Sequence, residues 1–388
     1  MTNEHHNPDS DRTSTRAIVL TPEGRGAVAT VLVSGRDAMA IVGRLFRPAS
    51  GRPLAAFSMG RIVFGRWGTE PGEELVVVCR GADRVEIHCH GGQAAVAAVL
   101  EALADVGCRP MTWQAWNCDE AGGAIQAEAL EALAHARTER TAAILLDQYH
   151  GALGRAIDEI ARLLAAGHNS SLATARERLQ ALLARAPLGL HLIVPFQVVL
   201  AGRPNVGKSS LINSLVGYRR SIVHDGPGTT RDVVTAATAF DGWPVELSDT
   251  AGLRAGGDEL ESAGVRLARQ RLAGAALRVL VFDAGQAWSA DDDDLLAEWP
   301  DALVVHTKSD LPPDTSRSRP PGVYANSMAP GGVDELARAI AARLVPDPPA
   351  PGATVPFAER HIAALGRALG HVDSGDRVSA ARALEGAK

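Results

Sequence analysis

The sequence predicts a multidomain α/β and α+β protein, in which a doubly wound phosphate-loop domain is inserted in a helical domain and preceded by an N-terminal α+β domain. Three observations carry this. The apolar run Phe196–Ala201 leads directly into GRPNVGKSS, residues 202–210, which fits the phosphate-loop pattern G-x-x-x-x-G-K-[ST]. Apolar residues at helical spacing flank that region on both sides, and the chain from Arg16 onward reads as short strands, glycine turns and helices.

Composition sets the outer bounds. A chain of 388 residues is long enough for two or three domains, and 46% hydrophobic with 22% charged residues is ordinary for a globular protein. A net charge of −6 excludes a strongly basic nucleic-acid binder, although a local patch can hide in that sum. Cys79, Cys89, Cys108 and Cys118 form no C-x-x-C pair and no signal peptide is evident, which predicts free thiols in a reducing cytoplasm. The longest apolar stretch, Leu188–Leu200, is interrupted by His191, Pro195 and Gln197, so no membrane span is expected.

Residues 1–15 are polar and read as a disordered lead-in. In the α+β domain, 16–125, strands are expected over Ala17–Leu20, Val28–Val33, Glu74–Cys79 and Arg84–Cys89, with helices over Asp37–Phe46 and Gln93–Val106. His88-Cys89-His90 contains zinc-binding residue types. On a strand, however, the two histidines share one face and Cys89 the other, and no fourth ligand is near in sequence, so a structural role is preferred.

Leu146, Tyr149, Leu153, Ile157, Ile160 and Leu164 lay one apolar stripe along a single long helix in the helical region, 126–195. Ser170 or Ser171 is the expected cap of a second helix carrying Leu172, Ala175, Leu179, Leu182 and Leu183 and ending before Pro187. The segment 356–388 repeats the spacing through His361, Ile362, Leu365, Leu369 and Val372, and is the candidate partner for these helices.

In the phosphate-loop domain, 196–346, backbone N–H groups of Asn205, Val206, Gly207, Lys208, Ser209 and Ser210 would surround the phosphates. Lys208 would reach the β and γ oxygens and Ser209 would ligate Mg²⁺. The polar loop 224–232 contains Gly228, Thr229 and Thr230, with Thr230 the candidate second Mg²⁺ ligand. The strand Val245–Ser248 leads into Asp249-Thr250-Ala251-Gly252. There Asp249 would hold Mg²⁺ through water and the Gly252 N–H would meet the γ-phosphate. Loss of that phosphate would release both loops, which makes a switch.

After the strand Leu303–His306 comes Thr307-Lys308-Ser309-Asp310. The Asp310 carboxylate would accept from N1–H and the exocyclic amine of guanine, a pair of donors that adenine does not present, so GTP is expected over ATP. Asn326-Ser327-Met328, after the strand Val323–Ala325, is a candidate for a further backbone contact to the guanine. Asp291–Asp294 is expected to be a solvated acidic loop.

GRPNVGKSSLINSL, DGPGTTRD, DTAGLR and TKSD stand in the order of the translation-factor-related GTPases, with Thr307 where such enzymes usually carry Asn. Together with TPEGRGAVATVLVSG, VEIHCHGG and QAEALEAL, they make the sequence resemble the MnmE (TrmE) family over most of residues 16–346. The resemblance implies K⁺-stimulated hydrolysis with Asn205 holding the K⁺, and Glu261 orienting the attacking water because Leu253 follows DTAG. It also implies homodimerisation, a flavoprotein partner and a role in modifying the tRNA wobble uridine. Three charged folate contacts of the family fall on Leu32, Ala82 and Ala121, and no cysteine follows Cys118 in the tail. Folate is therefore not expected as a cofactor, and a nucleotide-driven regulatory switch without modification chemistry stands as the alternative.

Overall fold

Burial that alternates along short strands builds the first sheet. The computed structural model describes residues 14–21, 26–69, 72–120, 122–217, 235–249 and 269–388, and the chain divides into two compact units, Met1–Gly122 and Gly123–Lys388. The first unit contains β1 (Arg16–Val19), β2 (Val28–Ser34), α1 (Ala38–Leu45), β3 (Phe46–Pro48), β4 (Ile62–Trp67), β5 (Glu73–Cys79), β6 (Arg84–His90), α2 (Gln93–Asp105), β7 (Arg109–Met111) and α3 (Trp113–Glu120). The sheet order is β3-β4-β5-β6-β2-β1-β7, parallel only between β1 and β7. Val31, Val63, Val77 and Ile87 share a core with Ile41 and Val42 of α1 and Val99 and Leu103 of α2. Cys89 is buried in this core, His88 is half-buried with Nδ1 3.0 Å from Thr30 Oγ1, and His90 is exposed. Burial pushes the Cys108 thiol up to about 11 and raises Cys79 and Cys89 too. The short β3 and β7, rich in Arg and Pro, lack the β-branched runs that mark strands in sequence, whereas β4 carries Ile62, Val63, Phe64 and Trp67 with strictly alternating burial, a strand signal that sequence reasoning missed.

The second unit opens with α4 (Ala124–Ala134), α5 (Glu139–Tyr149), α6 (Ala152–Ala165), α7 (Asn169–Ala184) and α8 (Ala186–Leu190). The expected single helix through Leu146 and Leu164 is two helices, because Gly151 adopts φ 88°, a left-handed conformation that ends one helical run before the next begins. Leu146, 41% exposed, lies outside the stripe that Leu153, Ile157, Ile160 and Leu164 bury. The expected serine cap is also corrected. His168 is the N-cap of α7 and Ser170 lies inside its first turn. Pro187 sits in the first turn of α8, where its missing N–H costs nothing.

The chain then builds a sheet of β8 (Phe196–Ala201), α9 (Lys208–Gly217), β9 (Thr235–Phe240), β10 (Trp243–Asp249), β11 (Leu277–Asp283), α10 (Ala290–Glu298), β12 (Leu303–Thr307), β13 (Val323–Ala325) and α11 (Asp334–Leu344), followed by α12 (Glu359–Asp373) and α13 (Arg377–Glu385). Its order is β13-β12-β11-β8-β10-β9, parallel except for the β9 edge. The 291–294 segment, expected as a loop, is the first turn of α10: Ser289 and Asp292 form a capping box, and Asp292 is buried against Arg203 at 3.1 Å. No helix among the described residues is long and apolar enough to cross a membrane.

Helices and sheet share one core, running from Leu145, Ile157 and Leu179 through Leu365 and Val372 to Val198, Leu200 and Leu247. The strap entering α12 is tied to the helices that precede the sheet. Gln148 Nε2 donates to Ala353 O (3.0 Å), Val355 N donates to Gln148 Oε1 (3.3 Å), and Arg185 Nη1 donates to Thr354 O (3.2 Å). Gly189 lies against Pro356, where any Cβ would overlap the carbonyl oxygen.

The fully buried His361 of α12 places Nε2 3.0 Å from Glu128 Oε2 of α4, and Arg360 Nε donates to the other carboxylate oxygen. Burial opposes ionisation of Glu128, but the bonds from His361 and Arg360 outweigh it and hold the carboxyl below its ordinary value. Such a group stabilises the fold fully above its unfolded value, and the contribution is lost as pH falls through the folded one. Glu128→Gln is therefore expected to flatten the loss of stability seen below about pH 4, measured by urea denaturation across acidic pH. Leu179→Ala in α7, which empties a fully buried site, is expected to cost about 2–5 kcal/mol in the same assay at neutral pH.

Candidate functional site

The loop between β8 and α9 follows from its local backbone chemistry. Gly202 has φ 155°, and a Cβ there would overlap the Val281 carbonyl of the neighbouring strand, so the loop can turn this closely against β11 only with glycine. Asn205 (φ 63°) and Gly207 (φ 99°) bring successive N–H groups round the turn. Lys208 is buried at the start of α9 and its Nζ donates to Gly202 O (3.0 Å) and Arg203 O (2.9 Å), across the mouth of the loop. Ser209 Oγ donates to Asp249 Oδ2 at 2.9 Å. Two hard oxygen donors, one on the loop and one at the end of β10, thus meet at one point, a donor set that fits Mg²⁺.

The second half of the site comes from the ends of β11, β12 and β13. Thr307 is buried, and its hydroxyl is shared between Val206 O (2.5 Å) and Phe282 O (3.1 Å). Lys308 (φ 56°) places Nζ 3.1 Å from Asn205 O and 2.7 Å from the buried Asp283 carboxylate. Asp310 is exposed just beyond, in a turn closed by Leu311 N to Lys308 O. Ser309 N donates to Ala325 O, so the Asn326–Met328 loop stands beside the 307–310 segment. Ser214 Oγ of α9 holds Ser327 O at 2.8 Å. Behind the loop, burial lowers the His306 value, and its Nε2 lies 3.0 Å from Pro320 O.

Asn205, Val206, Gly207, Lys208, Ser209, Ser210, Asp249, Thr307, Lys308 and Asp310 therefore lie on loops, strand ends and the first turn of α9 at one end of one sheet. Gly228, Thr229, Thr230, Thr250, Ala251, Gly252 and Glu261 lie outside the described residues. Sequence reasoning missed Asp283, the anchor of Lys308. The signal was present in Leu277–Asp283, a largely apolar strand ending in a carboxylate, as the alternating strand Val245–Asp249 also does. It also missed Arg203, which joins the loop to Asp292 and, at 3.2 Å, to Ser289 Oγ.

Thr307→Val would leave the Val206 carbonyl buried without its donor, an expected loss of about 1–3 kcal/mol. Thermal unfolding should detect it together with weaker binding of a fluorescent guanine nucleotide, whereas the exposed Ser210→Ala should change neither.

Residues 197–308 match the family model described as 50S ribosome-binding GTPase, and residues 15–112 match that described as GTP-binding protein TrmE N-terminus. The tRNA modification GTPase MnmE of Prochlorococcus marinus is 37% identical over 333 residues, covering 75% of this chain and 70% of that protein. Its counterpart in Geobacillus thermodenitrificans is 34% identical over 378 residues, covering 84% and 81%. That of Chloroflexus aurantiacus is 36% identical over 402 residues, covering 91% and 87%. With two family models matched in succession and such relatives matched over most of their length, the chain belongs to the MnmE family of tRNA modification GTPases.

Proposed function

We infer that this chain binds GTP, hydrolyses it to GDP and phosphate, and uses the cycle as a switch in tRNA modification. The observation that carries the reading is the meeting of Ser209 Oγ and Asp249 Oδ2 at 2.9 Å beside the phosphate loop. In this reading the unit from Gly123 onward is a GTPase domain, 196–346, inserted between helical segments 126–195 and 356–388.

The loop amides from Asn205 to Ser210 and the Lys208 ammonium bind the β and γ phosphates. Ser209 and Thr230 would ligate Mg²⁺, with Asp249 reaching it through water, and the ion would neutralise charge on the phosphate oxygens. The Asn205 side-chain amide supplies an oxygen for K⁺, which would take the place of an arginine beside the leaving phosphate. Thr229, Thr230 and the segment Thr250-Ala251-Gly252 respond to the γ-phosphate, and Glu261 orients the water that attacks phosphorus as the bond to the β-phosphate oxygen breaks. Asp310 selects guanine, and Lys308 holds that segment against the loop. G-domain dimerisation, a flavoprotein partner and a cytoplasmic location complete the proposal.

One observation favours the alternative of a switch without modification chemistry. Leu32, where the family places a folate-binding arginine, is only 6% exposed within β2. An apolar side chain there offers no partner for a folate carboxylate.

Steady-state hydrolysis of GTP, with ATP as control and with K⁺ or Na⁺ at equal ionic strength, tests the central reading. GTP alone should turn over, faster in K⁺, and Glu261→Ala should lower kcat by about 10²-fold or more with little change in GTP affinity. Turnover of both nucleotides alike would overturn the role given to Asp310.

A further inference from the structure

The net charge of −6 conceals a segment of opposite character. From Ala38 to Thr69 the chain carries Arg44, Arg47, Arg52, Arg61 and Arg66 and no aspartate or glutamate. All five arginines are exposed, and they fall on the end of α1, on the edge strand β3, on the connection after it and on β4. Among the described residues only Arg66 has a carboxylate partner, Glu74 at 3.2 Å.

Two details set this edge apart from a merely solvated one. Arg47 and Arg66 are direct cross-strand partners in the β3–β4 register, an arrangement of like charges that weakens a strand pair. Phe64, 52% exposed, lies two residues from Arg66 on the same face of β4, with Ile62 (68%) beyond it. Arg47, Phe64, Arg66, Glu74 and Ala49 line a cleft of about 340 Å³. Nearby, the Arg52 and Arg61 guanidinium carbons lie 5.2 Å and 5.8 Å from the Phe57 ring centre, positions that steady the groups while leaving N–H donors for an anion.

Fold stability does not account for the like-charged Arg47–Arg66 pair or for the exposed Phe64 and Ile62 beside it. Cations spaced along an edge, alternating with an exposed aromatic face, are the combination that binds single-stranded nucleic acid: phosphates pair with the guanidinium groups and a base stacks on the ring. We propose that the β3–β4 edge of the N-terminal unit is an RNA-binding surface, with Arg47, Arg52, Arg61 and Arg66 contacting phosphates and Phe64 stacking an unpaired base. This rests on the RNA-directed reading above and adds to it a place on the chain.

The test is fluorescence anisotropy of the full chain with a fluorescein-labelled RNA hairpin carrying an unpaired loop, titrated at several salt concentrations. The double variant Arg47→Gln/Arg61→Gln should make the slope of log affinity against log salt shallower by about 0.7 for each phosphate no longer neutralised. Phe64→Ala should weaken binding about tenfold, and GTP hydrolysis without RNA should stay unchanged in both. Variants that bind as the parent does would place the RNA elsewhere and overturn this surface while leaving the RNA-directed reading intact. A parent chain that hydrolyses GTP but binds no RNA would overturn both. If the arginine variant weakens RNA and phosphatidylglycerol vesicles equally while Phe64→Ala affects neither, the edge recognises anionic surfaces in general and the RNA assignment falls.

Discussion

The Thr307 hydroxyl holds the nucleotide site together. It reaches Val206 O of the phosphate loop and Phe282 O of β11 from the end of β12, so one proton donor joins three segments that are far apart in sequence. In that dry position a carbonyl without a partner is costly, which fixes the phosphate loop relative to the 307–310 segment. Asparagine at this position would bring two donors and an acceptor to the same neighbours. Threonine supplies the essential one in a smaller volume.

Around that bond the other ties are charge-assisted or backbone contacts. Lys308 joins Asp283 to Asn205 O, and Arg203 joins the loop to Asp292. They occur where they do because β8 lies between β11 and β10, at the point where the parallel sheet reverses its direction of winding. Loops leaving the strands on either side of such a point diverge and open a crevice for a ligand. The Ser209–Asp249 pair lies on one side of it and the 307–310 segment on the other.

Much of this was legible in the sequence, for identifiable reasons. Phosphate binding needs fixed spacing, so Gly202, Gly207, Lys208 and Ser209 declare themselves. Asp249 and Thr307 follow because each ends a strand-like run. Asp283 ends one too, but its work is to hold Lys308, and a supporting carboxylate has no spacing rule of its own. Gly151 interrupts an otherwise continuous helical stripe, because the period is almost preserved across the break while the backbone reverses its handedness at one residue. The acidic run at 291–294 is solvated at Asp291, Asp293 and Asp294 as it reads, but it is helical, and Asp292 turns inward because Arg203 lies beside it. The short edge strands β3 and β7 are set by their neighbours in the sheet and carry little pattern of their own.

The close fit of Gly189 on Pro356, with Gln148 and Arg185 gripping the strap beside them, means that the sheet leaves and rejoins the helices at nearly the same place. Gln148 and Ala353 are 205 residues apart in the chain. Were the intervening segment unstructured, bringing its ends together would carry the closure entropy of a very long loop. A folded sheet domain whose ends already lie side by side removes most of that cost, so α12 meets α7 and α13 meets α6 as though they followed these helices almost directly.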